Sequence, residues 1–450
     1  MTDESSYRKY KDLAEWMVSF ARSSGADEIE VAVISGNEFS VDVRNGSIES
    51  LVEAGSRHIG FRLRKDQKTA SASSSDLKKA ILKQLVLNAL KRAQIASRDL
   101  YAGLPERIEL PLDAESLLLF DPSINEIDSK KKIDLAIKTE KIALLDNRIT
   151  NSHGAGFETQ EVHTTMANSN GFLQQYKETF CSLGVGLQAG DTNHIVEDSW
   201  SCTKRFLCEI ESPETIAKKA VYRTIRQLNP RKIKTQNVPV IFEPRMTSWL
   251  MGFLFSCVSG TAIYQKTSFL AGRLGERIGN PFITVMDDGT MPGRLGTTPF
   301  DAEGIPSQRT VVMEKGILKN YLCNTYAARK LKLESTGNAA GGGIGPTNFY
   351  LQNGTSSPDD IVASMEKGLI LTRTIGHGLN PVNGDISRGA FGLWVEDGQV
   401  IYPVSEITIS GNLSSILNNI EMVGNDLEFR SSVCGPTVKI EELTIAGKSG

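Results

Sequence analysis

Histidine is scarce in this 450-residue chain. There are five, His58, His153, His163, His194 and His377. No two stand three, four or five residues apart, so none of the helical zinc motifs can form. A site assembled from distant residues, such as His194 with Cys202 and Cys208, is the metal arrangement left open. Against it stands the usual role of buried thiols as small apolar side chains. The six cysteines include no CxxC pair and are too few to frame so long a chain with disulfides. A surplus of charge is missing too. Fifty basic residues face 53 acidic ones, for a net −3 and a pI of about 6.1, which leaves no global footprint for nucleic acid. The longest apolar run, Trp249 to Phe255, is far short of the ~20 residues that span a bilayer. The opening residues are charged and lack a signal-peptide core. A cytoplasmic protein with no membrane or nucleic-acid partner is expected.

Nucleophile and phosphate motifs are also wanting. Ser256-Cys257-Val258-Ser259-Gly260 lacks the leading glycine of a G-x-S-x-G elbow, and nothing near Cys257 in sequence would activate its thiol. Asp287-Asp288 beside Gly289 reads as a solvated turn. The run Gly341-Gly342-Gly343-Ile344-Gly345-Pro346 has neither G-x-G-x-x-G spacing nor the lysine of a P-loop. It reads as an irregular loop. Alternatively, bare backbone from Asn338 to Gly345 can approach another backbone closely and hold an extended peptide. Two basic clusters remain. Lys78, Lys79, Lys83, Lys91 and Arg92 read as the solvated face of a helix, and Arg223, Arg226, Arg231, Lys232 and Lys234 lack interleaved aromatic residues.

What the chain does have is a globular composition, 40% hydrophobic and 23% charged, and enough length for two or three domains. Tyr10, Leu13, Ala14, Met17, Phe20 and Ala21 predict a helix stopping at Gly25. Ile29–Ile34 reads as a strand, and alternating Phe39, Val41 and Val43 lead into the hairpin signal Asn45-Gly46. Ser75 is a candidate cap for a helix from Asp76 to about Ser97, buried along Leu77, Ile81, Leu85, Ala89 and Ala93. Pro105 and Pro111 bracket a linker. A helix over Ser129–Asn147 precedes strands that turn at Ser169-Asn170-Gly171, and Ser212-Pro213-Glu214 starts another helix. A strand at Val238–Phe242 and an apolar helix at Arg245–Val258 follow. Strands in adjacent runs favour α+β over a doubly wound sheet. The expected divisions are an N-terminal helix–strands–helix domain (1–110), a strand-rich middle domain (111–234) and a glycine-rich, mostly β C-terminal domain (235–450).

Six ordered segments carry a resemblance. They are Thr298-Pro299-Phe300-Asp301-Ala302-Glu303-Gly304, Asn324 to Leu331, Ser335 to Ala339, Gly384 to Ala390, Pro403 to Asn412, and Val423-Gly424-Asn425-Asp426. In kind and order they resemble the TldD/TldE metalloprotease family, in the TldE (PmbA) subunit form, over nearly the whole chain. The resemblance implies a two-subunit protease whose TldD chain holds zinc through an HExxxH helix and a later cysteine. In a register anchored on Thr267-Ser268-Phe269, Met251 and Ser256 stand in the histidine positions here and Gly252 in the glutamate position. No histidine lies within fifty residues on either side, while Cys434 keeps the cysteine position. One thiolate cannot hold zinc alone. The family's link to DNA gyrase has no support in the charge distribution.

The resemblance therefore implies a TldE-type partner with no metal or catalytic residue of its own. It would pair with a zinc-bearing TldD-type subunit as a heterodimer or higher assembly and help degrade unfolded peptides. The candidate peptide-holding residues are Ser335, Thr336, Gly337, Gly341, Gly342 and Gly343. The alternative is a metal-free peptide-binding or regulatory protein acting without TldD.

Overall fold

The computed structural model describes residues 3–106, 111–191 and 194–447. The linker expected between Pro105 and Pro111 falls mostly outside the described residues. Helix α1 (Asp3–Ser23) ends just before Gly25, whose φ of +98° only glycine adopts at little cost. Strands β1 (Glu28–Arg44) and β2 (Ser47–Lys65) form one hairpin, turned by Asn45 and Gly46 at φ +53° and +74°. Both positive values are what a two-residue hairpin requires. Strand β3 (Lys68–Ser74) and helix α2 (Lys79–Ile95) complete the first part. Helix α3 (Ser129–Ala143), β4 (Ile149–Asn168), β5 (Leu173–Gly190), β6 (Ile195–Lys204) and α4 (Pro213–Ile225) form the second.

These six strands make one antiparallel sheet in the order β3-β2-β1-β4-β5-β6, so a single sheet runs through the first two parts of the chain. Strand β1 shows how it is covered. Ile29, Val31 and Val33 pack under α1 and α2, and Phe39, Val41 and Val43 pack under α3 and α4. All six positions are odd, so both helix pairs cover the same face at different ends of one long strand. Pairing with β2 and β4 runs unbroken through Ser35–Glu38, which is why two short expected strands are one of 17 residues.

Helix α2 differs from its expected form. It starts at Lys79 without a side-chain cap, because Ser74 and Asp76 make a turn of their own. Its buried stripe is Leu82, Val86, Ala89, Leu90 and Ala93, and Ile81 is exposed. A strict four-residue spacing drifts around a 3.6-residue helix, so the expected stripe holds at Ala89 and Ala93 but is one position short at Ile81 and Leu85, beside the buried Leu82 and Val86.

The last part begins with β7 (Gln236–Phe242), α5 (Pro244–Val258) and α6 (Gly260–Tyr264). Then come β8 (Val285–Asp288), β9 (Arg309–Glu314), β10 (Ile317–Leu318), α7 (Thr325–Leu331), β11 (Ala339–Ala340), β12 (Gly343–Ile344) and β13 (Phe349–Leu351). Helix α8 (Pro358–Ala363), β14 (Lys367–Ile375), β15 (Leu379–Asn380), β16 (Asp385–Glu396) and β17 (Gln399–Asn412) follow. Helix α9 (Leu413–Asn418), β18 (Ile420–Val423), β19 (Val433–Cys434) and β20 (Val438–Ala446) end the described chain. Strands β14-β7-β20-β17-β16 pair in that order, and β14 pairs β16 as well, which closes them into a barrel. A second sheet, β10-β9-β8-β13-β19, lies across α5. The architecture is α+β. No helix among the described residues is long and apolar enough to cross a membrane.

Candidate functional site

Helix α5 holds the residues that the resemblance sets in the zinc-helix positions, and they pack against the core or bond their own helix. Met251 is fully buried in the main core with Leu250 and Leu254. Gly252 faces space in which a Cβ would meet nothing within 4 Å. Ser256 is exposed and its hydroxyl donates to the Phe253 carbonyl at 2.7 Å. Met251 and Ser256 thus lie on different faces of the helix.

Cys434 is also turned away. Phe349 of β13 stacks edge-on against Phe255 of α5, whereas its neighbour Tyr350 points to the opposite face of the sheet. Cys434 pairs in parallel register with Tyr350 and shares that far face with Tyr350 and Met286. Gly435, the next residue, meets Thr247 of α5 so closely that a side chain would collide. Alternation along β19 therefore puts the Cys434 thiol, 2% exposed, across the sheet from α5. It donates to the Ser431 carbonyl at 3.2 Å. These residues do not fit a zinc ion. Among the described residues no three His, Cys, Asp or Glu side chains gather in a metal-holding group, and His194, Cys202 and Cys208 form none. Burial pushes the Cys257 thiol up to about 12, which keeps it protonated and unreactive at neutral pH.

The glycine-rich segment is a hairpin rather than an irregular loop. Strands β11 and β12 pair across Gly341 and Gly342, at φ +53° and +85°. Here the glycines serve a tight turn. The base of the hairpin is fixed from below. Thr336 exchanges hydrogen bonds with Cys323, Ser335 donates to the Cys323 carbonyl, and Gly337 at φ +68° passes close to the Pro306 carbonyl. Gly343 lends its carbonyl to Asn324, the cap of α7.

Two buried carboxylates hold this hairpin. Asp287 was expected in a solvated turn, but it lies within strand β8 and is 1% exposed. Strand pairing on both sides of β8 draws it inward. It accepts from the Asn338 amide at 2.6 Å and from the Thr347 N–H and hydroxyl at 2.9 and 2.8 Å. Asp288 is buried as well and caps Thr290. Asp301, in the Thr298–Gly304 segment, accepts from the N–H groups of Glu303, Ile305 and Ala339. Burial pushes Asp301 up to about 7, with the neighbouring Glu303 charge adding to it, and burial pushes Asp287 up to about 6. Glu303 accepts from the Thr325 N–H at the start of α7 and faces Arg62 of β2 at 3.7 Å. The segment is thus a clamp that ties hairpin, α7 and first sheet together.

A groove of about 280 Å³ runs beside the clamp. One wall is the uncovered face of the long sheet, with Ile34, Met166 and Tyr176 at even positions opposite the helices. The other wall holds Thr298, Gly337 and Pro346. Of the candidate peptide residues, Gly337 lines the groove, Ser335 and Thr336 anchor its edge, and Gly341 and Gly342 form the hairpin tip. Sequence reasoning missed Asp287 and the burial of Asp301, since a carboxylate pair beside glycine carries no local sign of enclosure.

In the denser basic cluster Arg231, Lys232 and Lys234 are exposed, but Arg223 and Arg226 are turned inward. Arg223 reaches Asp198 at 3.1 Å, and Arg226 grips Glu243 through two hydrogen bonds. Both have aromatic partners, Trp200 of β6 for Arg223 and the adjacent Tyr222 for Arg226.

Three family descriptions match this chain in order. They are PmbA/TldA metallopeptidase domain 1 over residues 29–93, the central domain over 122–228, and the C-terminal domain over 235–447. Metalloprotease PmbA of Escherichia coli O157:H7 is 36% identical over 95% of this chain and 94% of its own length. The Haemophilus influenzae PmbA homologue is 33% identical over 98% and 96%, and the TldD homologue of that organism 25% over 89% and 89%. A solved structure from Bacteroides thetaiotaomicron, described as a candidate modulator of DNA gyrase, superposes with a TM-score of 0.91 at 26% identity, covering 98% of this chain and 99% of its own. TldE from Thermococcus kodakarensis shares the fold, with a TM-score of 0.87 at 24% identity over 97% and 100%. The chain belongs to the PmbA/TldD metalloprotease family.

Proposed function

We propose that this chain is the TldE/PmbA-type subunit of a two-subunit metallopeptidase, with the catalytic zinc on a TldD-type partner. The observation that carries this reading is the chemistry of α5. Met251 is core, Gly252 offers no carboxylate, Ser256 faces away from Met251, and Cys434 lies across a sheet from all three. A helix so committed to packing supports a structural role beside a partner's zinc. The groove under the β11–β12 hairpin supports a part in holding an extended, unfolded peptide. Its small glycine-lined wall leaves backbone accessible, and the Asp287 and Asp301 clamps keep that wall rigid. Three further features are proposed with it: a heterodimer or higher assembly, a cytoplasmic setting, and completion of the peptide chamber by this subunit.

Co-purification from the native host tests the reading. The expected result is an HExxxH-bearing chain eluting with this one and cleaving an unfolded peptide only when both are present. Elution of this chain alone, with peptide binding intact, would overturn it in favour of a metal-free binding protein. A photoreactive unfolded peptide added to the complex should label the segment 335–347, and labels confined to distant surfaces would remove the hairpin from the peptide path.

A further inference from the structure

A second and larger cleft, of about 620 Å³, opens between β6 and α4 on one side and the start of α5 and the 426–431 loop on the other. Five cations line it, Lys219, Arg223, Arg226, Arg245 and Arg430, against the carboxylates Glu243, Asp426 and Glu428. Asp198, buried behind Arg223 and Arg245, offsets one more. Glu211, 3.1 Å from Lys219, offsets the last, so the cleft is balanced overall and its unpartnered guanidinium nitrogens, not a net charge, set its preference.

Arg430 is the least compensated of these cations. Its carboxylate neighbour Glu428 is 3.8 Å away and largely in solvent. One terminal nitrogen, Nη1, is buried without a hydrogen-bond acceptor, while Nη2 donates to the Ser201 carbonyl. The guanidinium lies 3.5 Å from the centre of the Trp200 ring, which fixes its plane. Arg223 has a side chain only 9% exposed, and its Nε likewise lacks an acceptor. Arg226 Nε shares that condition. Buried guanidinium N–H groups without partners are costly, and a bound oxygen acceptor relieves the cost.

The surroundings narrow the ligand. The Trp200 ring is already covered by Arg430 and by Lys219 at 4.7 Å, so no nucleobase can stack there. Three lining carboxylates repel a doubly charged phosphate more than a single negative charge. Ile241, Val362 and Ile370 give the cleft an apolar wall. We propose that this cleft binds the carboxylate of a peptide, gripped between Arg430 and Arg223, with the neighbouring side chain against the apolar wall. The choice of a peptide over other carboxylates rests on the peptide-handling reading above. The site itself belongs to this chain and needs neither zinc nor partner.

Calorimetry on the isolated chain tests the proposal, so a failure to pair with a second subunit leaves the outcome readable. Four probes are used: a tetrapeptide ending in leucine as the free acid, the same peptide amidated, an amidated version carrying one glutamate, and inorganic phosphate. Binding of the free acid at least about tenfold tighter than its amide is expected, the scale of losing a charge-assisted hydrogen bond. Binding of the glutamate peptide at free-acid strength would also support the site and assign the carboxylate to a side chain. Arg430→Gln should weaken the carboxylate peptides by about tenfold in protein that keeps a single cooperative melting transition, and Arg430→Lys should recover part of the loss. The proposal is overturned if no carboxylate peptide binds at millimolar concentration, if the plain amide binds as well as the acid, if Arg430→Gln binds like the parent, or if inorganic phosphate binds more tightly than either acid.

Discussion

Two regions of the C-terminal part invite comparison, α5 with β19 at the expected metal positions and the β11–β12 hairpin with its clamps among the segments that carry the resemblance. They have been put to opposite uses. Around α5 the positions that would need open, polar geometry are filled by methionine, glycine and a serine turned onto its own helix, and the thiol of Cys434 faces the other side of a sheet. Around the hairpin the carboxylates Asp287 and Asp301 are buried with hydrogen bonds to both oxygens, beside a groove that stays open. A region freed from metal chemistry relaxes into core packing, which favours apolar volume. A region that must present backbone in a fixed shape keeps expensive buried carboxylates, because those fix geometry where apolar contacts would not.

The contrast can be broken most forcefully in α5. Phe253→Asp places an unpaired charge in the core and should cost about 4 kcal/mol or more in denaturant unfolding. Retention of parental stability would mean that α5 is misplaced. Next is the clamp. Asp301→Ala strands three backbone N–H groups and should cost about 3 kcal/mol, with loss of hairpin protection in amide exchange. A loss of stability without added exchange in 335–347 would detach the clamp from the hairpin.

Protonation sharpens the same point. The folded-state pKa of Asp301 is raised from 3.8 to about 7, so the folded form binds the proton more tightly than the unfolded one. The stability it contributes is complete below about pH 4 and is lost as pH rises through about 7. Melting temperatures measured across that window should fall less steeply for Asp301→Asn than for the parent, and equal slopes would contradict the burial argument. A smaller effect is expected at the hairpin tip. Gly342→Ala meets no neighbouring atom but must hold φ +85°, which should cost about 1 kcal/mol. The smallest is Cys434→Ser. Serine can keep the hydrogen bond to the Ser431 carbonyl, so stability should change by less than about 1 kcal/mol, and zinc and peptidase rate of the assembled pair should not change. Loss of zinc with pairing intact would make Cys434 a ligand across the interface.

Much of the α+β fold was legible because its signals are local. Asn45-Gly46 made the expected hairpin, Ser212 capped α4 through the Thr215 N–H, and the apolar run became α5. What the sequence hid depends on distance along the chain. Asp287 is buried by strands that pair with β8 from twenty and sixty residues away. Arg223 finds its aromatic neighbour on β6. The orientation of Cys434 follows from the pleat of a two-residue strand whose partner, β13, lies eighty residues upstream. No window of sequence contains those pairings.

Elemental analysis of the two subunits, separated after co-purification and mild dialysis, tests the central claim most directly. The account expects zinc near one per chain on the HExxxH-bearing subunit and well below one per chain here. A ratio near one on this chain would contradict it and require a site built from residues that the fold keeps apart.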